Sequence, residues 1–363
     1  MKTMCFFVTV ALLVLGSRTK VRQDFVYPSE IIKNLKGQEV KVEDLESFLE
    51  AQMRLLEVPG VSLAIINDGK VVYHTVKGYA EIKNKKEVTN NTIFEGASLS
   101  KPVFAYLVMK LVEEGKLALD KPLHLYLPYE DIAYDERYKK ITARMVLSHT
   151  TGFPNWRPDN GKGKLVIQFE PGTSFGYSGE GYQYLAKVVA HLLHTDDAGL
   201  EAFYQEVVAK PLQLKYTKYL QDEHNKKNKA VGYEGTIPLK GEDDPTVFGA
   251  AYSIHSEALD FSKWIIAILR QEGLSKESYL ELFRSQVKIP EDSPEGQLGV
   301  TDWTLGFAKA QLPFGTVYAH GGNNEGYTSL FALNREKQWG FVIFTNADQS
   351  SLPLEVLAYI NKE

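Results

Sequence analysis

Ser98 and Lys101 stand three residues apart at the head of an apolar segment that runs from Val103 to Met109. On a helix that spacing puts both side chains on one face. A serine hydroxyl becomes a nucleophile when a neighbouring base takes its proton. A lysine held among apolar neighbours can lose its own proton near neutral pH and act as that base. The N-terminus of a helix favours the negative charge that arrives there. The chemistry open to the pair is acyl transfer through a serine ester. The pattern alone is weak. Average composition predicts about one or two chance Ser-x-x-Lys matches in a chain of this size, and three occur: Ser17/Lys20, Ser98/Lys101 and Ser285/Lys288. Only the middle pair opens an apolar helix, bounded by Pro102 in its first turn and Gly115 at its stop. By itself it reads equally well as a capping serine beside a lysine that snorkels to the surface.

Three other stretches carry groups suited to the same chemistry. Pro171 to Gly179 is a turn-rich lead into a helix and places Tyr177 where loop meets helix. A phenol beside a protonated lysine can be held as phenolate and serve as a base. His320-Gly321-Gly322-Asn323 follows a strand, and its glycines let a ligand approach the backbone closely. Leu147 to Phe153 contains His149, read as a structural histidine bonded to a loop backbone. Taken singly, Tyr177 could be a core tyrosine and His320 could simply pack at a strand end. Trp156 and Tyr182 could touch substrate or be ordinary rim and core aromatics. His191 and His194 share a helix face but lack a third ligand nearby, so no metal site is expected.

The elements that must position these groups follow from periodicity. Val42 to Glu57 spaces its leucines as an amphipathic helix. Val61 to Ile66 and Lys70 to Val76 read as strands joined by Asn67-Asp68-Gly69, with Gly78 to Lys83 extending the second. Thr89 to Ala97 reads as a loop that delivers the chain to the Ser98 helix. Short helical and turn-rich pieces follow: a helix capped by Thr142, a loop over 155–163, helices over 182–193 and 200–208, and a polar loop over 222–232 that holds a small basic patch. Glu257 to Leu269, with Ser256 as its cap, and Lys276 to Phe283 are helices. Strands then recur from Trp303 to Thr345, and Leu354 to Ile360 is a closing helix. Strands near both chain ends with helices between them imply one sheet assembled from the two ends and covered by helices.

With 44% hydrophobic and 24% charged residues over 363 positions, the chain can bury a large core in one or two units. A net charge of −5 and the lack of a long basic run give no reason to expect nucleic-acid binding. Lys2 followed by the apolar run Met4 to Leu15 and by Gly16-Ser17 reads as a cleavable export leader, too short to span a bilayer comfortably. The only cysteine, Cys5, would leave with it. A periplasmic or secreted protein without disulfides, and without stable membrane insertion after cleavage, is expected.

Taken in order, Ser98-x-x-Lys101, Tyr177-Ser178-Gly179 and His320-Gly321-Gly322 resemble the motifs of the serine β-lactamase and penicillin-binding-protein family, in its class C-like branch with esterases and D-amino-acid peptidases. The resemblance runs from about Val58 to the C-terminus. It implies an α/β (α+β) fold of the β-lactamase/transpeptidase type. Residues 41–115 and 246–363 would form the sheet domain and 116–245 a mostly helical one, after a leader at 1–17 and a flexible segment at 18–40. It implies Ser98 as the acylated nucleophile, Lys101 as its proton acceptor and Tyr177 as a proton shuttle. The backbone N–H groups of Ser98 and Asn323 would form the oxyanion hole. His320, Gly321, Gly322, Gly179 and Trp156 would line the pocket, and no metal or organic cofactor is implied. Two positions depart from the branch's β-lactamases: Gly179 stands where an asparagine would hold the substrate amide, and His320 where a lysine would face a carboxylate. Small esters or D-peptides are therefore expected as substrates ahead of β-lactams. A class C-like β-lactamase and a non-catalytic protein holding a peptide or peptidoglycan fragment are the alternatives.

Overall fold

The computed structural model describes residues 29–158, 162–240 and 246–362. The expected leader at 1–17, and with it the Ser17/Lys20 pair, lies outside the described residues. Residues 29–40 were expected to be irregular, but they form a small antiparallel pair, β1 (Ile31–Lys33) with β2 (Glu39–Lys41). Two buried apolar residues explain the difference. Ile32 and Leu35 are buried, and the Trp339 indole N–H donates to the Lys33 carbonyl at 3.0 Å.

Helix α1 (Val42–Leu55) follows, burying Leu45, Leu49 and Met53 at four-residue spacing. Strands β3 (Gly60–Asn67) and β4 (Lys70–Glu81) form the expected hairpin, and β5 (Lys86–Glu87) adds a short edge. The segment read as a loop before Ser98 contains a buried strand, β6 (Phe94–Ala97), which leads through Ser98 and Leu99 into α2 (Ser100–Glu113). Beyond Gly115 come α3 (Ala143–Leu147), α4 (Gly179–Leu192) and α5 (Asp197–Tyr204). The polar 222–232 segment, expected as loop, is in part α6 (Glu223–Asn228). Asp222 caps this helix by accepting from Asn225 N at 2.9 Å. A two-strand hairpin, β7 (Tyr233–Glu234) with β8 (Ile237–Pro238), follows it.

After β9 (Ile254–Ser256) come α7 (Ala258–Leu269) and α8 (Lys276–Phe283). Glu257, not Ser256, caps α7: its carboxylate accepts from Leu259 N and Asp260 N, while Ser256 is committed to β9. Then come β10 (Val287–Lys288), α9 (Pro294–Gln297), β11 (Asp302–Trp303) and β12 (Ala308–Leu312). The last elements are β13 (Gly315–Asn324), β14 (Tyr327–Asn334), β15 (Trp339–Thr345) and α10 (Leu352–Ile360).

Nine strands form one sheet in the order β10-β11-β12-β13-β14-β15-β3-β4-β5, every neighbouring pair antiparallel. Its middle joins the two chain ends, with Ala64 opposite Val342. Side chains alternate between two cores. Val61, Leu63, Ile65, Phe341 and Ile343 pack with α1 and α10. Ala64, Ile66, Val342 and Phe344 face α2 and α7 on the other side. A sheet covered on both faces reads as continuous apolar strands, which is why β3 and β15 are buried along their whole length. Strand β6 pairs only with β9 and crosses the α2 face of β13 and β14, where the Ser329 hydroxyl donates to the Gly96 carbonyl at 2.9 Å. Among the described residues no helix is long and apolar enough to cross a membrane.

Candidate active site

Ser98 sits in the turn between β6 and α2. Just before it, Ala97 takes φ +47°, a left-handed conformation that costs a residue with a Cβ roughly 1 kcal/mol. The neighbourhood holds it there. The Ser100 hydroxyl donates to the Ala97 carbonyl at 2.6 Å, and the Ile254 N–H donates to Ser100 Oγ at 2.9 Å. Helix α2 then runs buried from Ser100 to Met109. It ends as the sequence predicts: Gly115 has φ +69°, Gly115 N donates to Val112 O and Lys116 N to Leu111 O, a Schellman stop. The Ser98 turn is thus built on a helix that cannot slide without exposing its core.

Lys101 lies in the first turn of α2 and is 1% exposed. Its Nζ is 3.0 Å from Ser98 Oγ and donates to the Ala251 carbonyl at 2.8 Å. Burial pushes its ammonium down to about 7, as a lysine among apolar neighbours should be. No carboxylate is paired with it among the described residues, so burial is not offset by a counter-charge. A free amine at this position can donate to Ala251 and accept the Ser98 proton.

Tyr177, just before α4, joins the same group. Its ring centroid is 4.7 Å from Lys101 Nζ, and the Ser98 side chain acts on its hydroxyl. The phenolate expectation is corrected here. Burial pushes the phenol above its ordinary value, only partly opposed by the Ser98 side chain, so Tyr177 is a neutral phenol beside a lysine that is itself easily neutral. The same low dielectric disfavours both ions. His149 behaves as read from sequence, its Nδ1 accepting from Ser178 N at 3.0 Å and fixing the backbone beside Tyr177.

His320 is 3% exposed, with its ring 6.0 Å from that of Tyr177 and 5.6 Å from that of Trp303. Nδ1 lies 2.7 Å from the Gly321 carbonyl, which can only accept, so the proton is on Nδ1 and Nε2 carries a lone pair. Nε2 is buried without a hydrogen-bond partner among the described residues. Burial and the nearby Lys101 push His320 down to about 3. This wall of the site therefore offers a neutral acceptor and no cation at all.

Gly321, Gly322 and Asn323 continue β13. Pairing with β12 ends at Ala319 opposite Ala308, so from His320 onward that edge of β13 has no strand beside it. Asn323 commits its side chain elsewhere, Oδ1 accepting from Gln349 N at 3.0 Å and from Thr328 Oγ1 at 3.1 Å. What it can offer a ligand is its backbone N–H. Gly322 approaches β6 most closely. A Cβ there would stand 2.4 Å from the Gly96 carbonyl, 2.5 Å from Ser329 Oγ and 3.1 Å from Ser98 N. Gly322→Ala must push the Ser98 turn away from β13. It is expected to lower ester kcat/KM by about a hundredfold, the scale of losing one oxyanion donor. A Cβ on Gly321 meets nothing nearer than 3.9 Å, so Gly321→Ala should lose less. Steady-state hydrolysis by the two variants checks the difference.

Gly179 is the first residue of α4, two past Tyr177. A Cβ there would lie 2.6 Å from Cη2 of Trp156 and 2.9 Å from the Asn155 carbonyl. The sequence shows only that an asparagine is missing. In the structure its space is taken by an indole.

Several contributors escape sequence reasoning. Ala251, whose carbonyl holds Lys101, acts through its backbone from 150 residues away. Trp303 packs edge-on against His149, Tyr177 and His320 at 5.1, 5.9 and 5.6 Å, closing the site with an aromatic wall. Glu95, buried in β6, pairs with Lys229 Nζ at 2.7 Å and accepts from Asn324 Nδ2 at 2.6 Å, joining the strand before Ser98 to the tip of β13. Only the acidic residue three before Ser98 could have hinted at it. Among the described residues no group of three or more His, Cys, Asp or Glu could hold a metal.

Known proteins carry the same frame. The chain is 23% identical over 349 residues to Protein flp of Staphylococcus aureus strain MW2, a match that takes in 88% of this chain and 66% of that relative's length. A shorter stretch of 102 residues is 33% identical to the mitochondrial serine beta-lactamase-like protein LACTB of Bos taurus, 28% of this chain and 18% of that one. The octameric penicillin-binding protein homologue from Pyrococcus abyssi superposes with a TM-score of 0.74 at 25% identity, covering 88% of this chain and 77% of its own. The crystal structure of SurE superposes at 0.71 and 22% identity, covering 87% and 74%, and supports the fold alone. The family model for beta-lactamase matches residues 45–361, nearly the whole described chain. The fold is of the β-lactamase/transpeptidase type, and the chain belongs to the beta-lactamase family.

Proposed function

We propose that the protein is a serine hydrolase that works through an acyl-enzyme at Ser98 and cleaves small esters or D-amino-acid peptides. One observation carries the reading: Ser98 Oγ lies 3.0 Å from the amine of a buried lysine whose ammonium is pushed down to about 7. Near neutral pH a large share of the molecules therefore hold the base form of Lys101. Ser98 Oγ attacks the carbonyl carbon as its proton moves to Lys101 Nζ, giving a tetrahedral oxyanion. The N–H groups of Ser98 and Asn323 are assigned to that oxyanion. As the carbonyl re-forms, the bond to the leaving oxygen or nitrogen breaks. The proton passes from Lys101 through the Tyr177 hydroxyl to the leaving group. Water then repeats the sequence in reverse, losing its proton to the same pair and freeing the acid and Ser98.

Two features favour esters or D-peptides over β-lactams: no amide side chain is present at Gly179, and His320 is a neutral acceptor rather than a cation facing a carboxylate. The N-terminal sequence supports export to the periplasm or the exterior. Intact-mass measurement after treatment with a fluorophosphonate tests the reading. One adduct, mapped to Ser98, is expected. Folded protein that stays unmodified would favour the non-catalytic binding protein. A penicillin adduct that formed and cleared with hydrolysed penicillin in solution would point instead to a β-lactamase.

A further inference from the structure

Trp156 is 44% exposed, although its indole lies against Gly179, two residues past Tyr177. It is also held from both sides. Asn155 accepts from Gly179 N at 3.0 Å through both its backbone carbonyl and Oδ1, and the same carbonyl takes Glu180 N at 3.0 Å. Arg157 forks onto the Glu180 carboxylate at 2.9 and 2.8 Å and reaches Asp131 at 2.9 Å. The residues flanking Trp156 are thus tied to the N-terminal turn of α4, while the indole stays open to solvent. Its ring stands edge-on to Tyr252 at 5.7 Å. Tyr252 directly follows Ala251, the carbonyl partner of Lys101, and its own carbonyl accepts from Asn324 at 3.2 Å. The Trp156–Tyr252 pair therefore bridges the Tyr177 helix and the wall that holds Lys101.

We infer that Trp156 is a specificity-determining platform that selects esters with a planar, uncharged, apolar acyl group such as an arylacetyl group. This rests on the hydrolase reading of Ser98 and narrows it to a substrate class. Three features converge. The Cβ space at Gly179 is filled by the indole, so no amide can be gripped there. An exposed, rigidly held aromatic face gains most from a flat apolar partner, because it has little freedom left to lose on binding. And His320 presents a buried acceptor with no cation, so a carboxylate on the acyl group would enter unpaired.

The test compares 4-nitrophenyl phenylacetate with 4-nitrophenyl acetate on wild type, Trp156→Ala and Trp156→Phe, with fluorophosphonate labelling of each protein alongside. Wild type should prefer phenylacetate. In Trp156→Ala the ratio of kcat/KM for phenylacetate over acetate should fall about tenfold, the scale of one aromatic contact, mainly through KM. Trp156→Phe should restore most of that ratio, which a merely structural role would not predict. A ratio unchanged in Trp156→Ala, on protein that labels at Ser98, overturns the platform and leaves the hydrolase reading intact. Equal loss on both esters does the same. Wild type that neither labels nor hydrolyses either ester overturns both.

Discussion

Ester hydrolysis by Ser98→Ala is expected to fall by about four orders of magnitude, and its fluorophosphonate adduct to vanish. The size of the loss follows from the arrangement. Among the described residues Ser98 Oγ is the hydroxyl held at 3.0 Å from Lys101 Nζ, with the Tyr177 ring centroid 4.7 Å from that amine. Ser100, the nearest alternative, is spent on the Ala97 carbonyl and Ile254 N–H. Water could take the place of Oγ, but it would not be held against the carbonyl, and that loss of fixed geometry is itself worth several orders of magnitude. The fold should survive, because Ser98 anchors no strand and caps no helix: α2 is capped at Leu99 without a side-chain bond. Circular dichroism of the variant beside its activity checks both points. Activity within tenfold of wild type would remove Ser98 from the mechanism.

Lys101→Met should slow acylation by about a thousandfold or more and at the same time make the protein more resistant to unfolding. The two effects share a cause. A buried amine without a counter-charge is a base because its protonated form is unfavourable where it stands, and that unfavourable form weakens the native state. Its folded-state pKa of about 7 lies below the roughly 10.4 of an unfolded lysine, so between those values the unfolded chain binds more protons. Wild-type stability from this group therefore rises with pH across that window, and the advantage of Lys101→Met is largest at and below pH 7 and fades toward pH 10. In wild type the acylation rate should climb through about pH 7 as Lys101 loses its proton, while in Lys101→Met that limb disappears. His320, held near 3, adds no second limb in the neutral range. Stopped-flow labelling and thermal melts over pH 6 to 10 would read both. A variant that melts earlier than wild type at pH 6 would contradict the assignment of Lys101 as an uncompensated buried amine.

Much of this site is legible in one dimension because its chemistry needs particular residue types at short spacing. Ser98 and Lys101, Tyr177, and His320 with its glycines are such cases, and the structure brings all of them together. The long elements were legible for a related reason. A fourteen-residue helix such as α1 or α2, or a paired strand such as β3, repeats its pattern often enough to be read. Short buried pieces do not. Strand β6 has four residues, all buried, and periodicity cannot separate it from a loop. Contacts made by backbone atoms are also silent, as with the Ala251 carbonyl that holds Lys101. Charge state failed differently. The motif suggests a phenolate at Tyr177, but whether a phenol ionises depends on the surrounding dielectric, which only the packed site defines. The glycine at 179 could be seen, but its replacement by the indole of Trp156 could not, because loop 155–158 meets α4 only in three dimensions.

The sheet's middle pair, with Ala64 opposite Val342, also bears on how the molecule comes into being. Joining strands so far apart in sequence means closing a very long loop, and the entropy of that closure is lost before the contacts that offset it exist. Folding should be slow for that reason. Ser98 lies on the early side of the join, while His320 and Gly322 lie on the late side. Until β13 to β15 arrive, the Ser98 turn lacks the strand that carries Gly322 and Asn323, and the wall formed by His320 is missing. The residues gathered around Ser98 are therefore incomplete through most of synthesis, and the site assembles in the same step as the finished sheet.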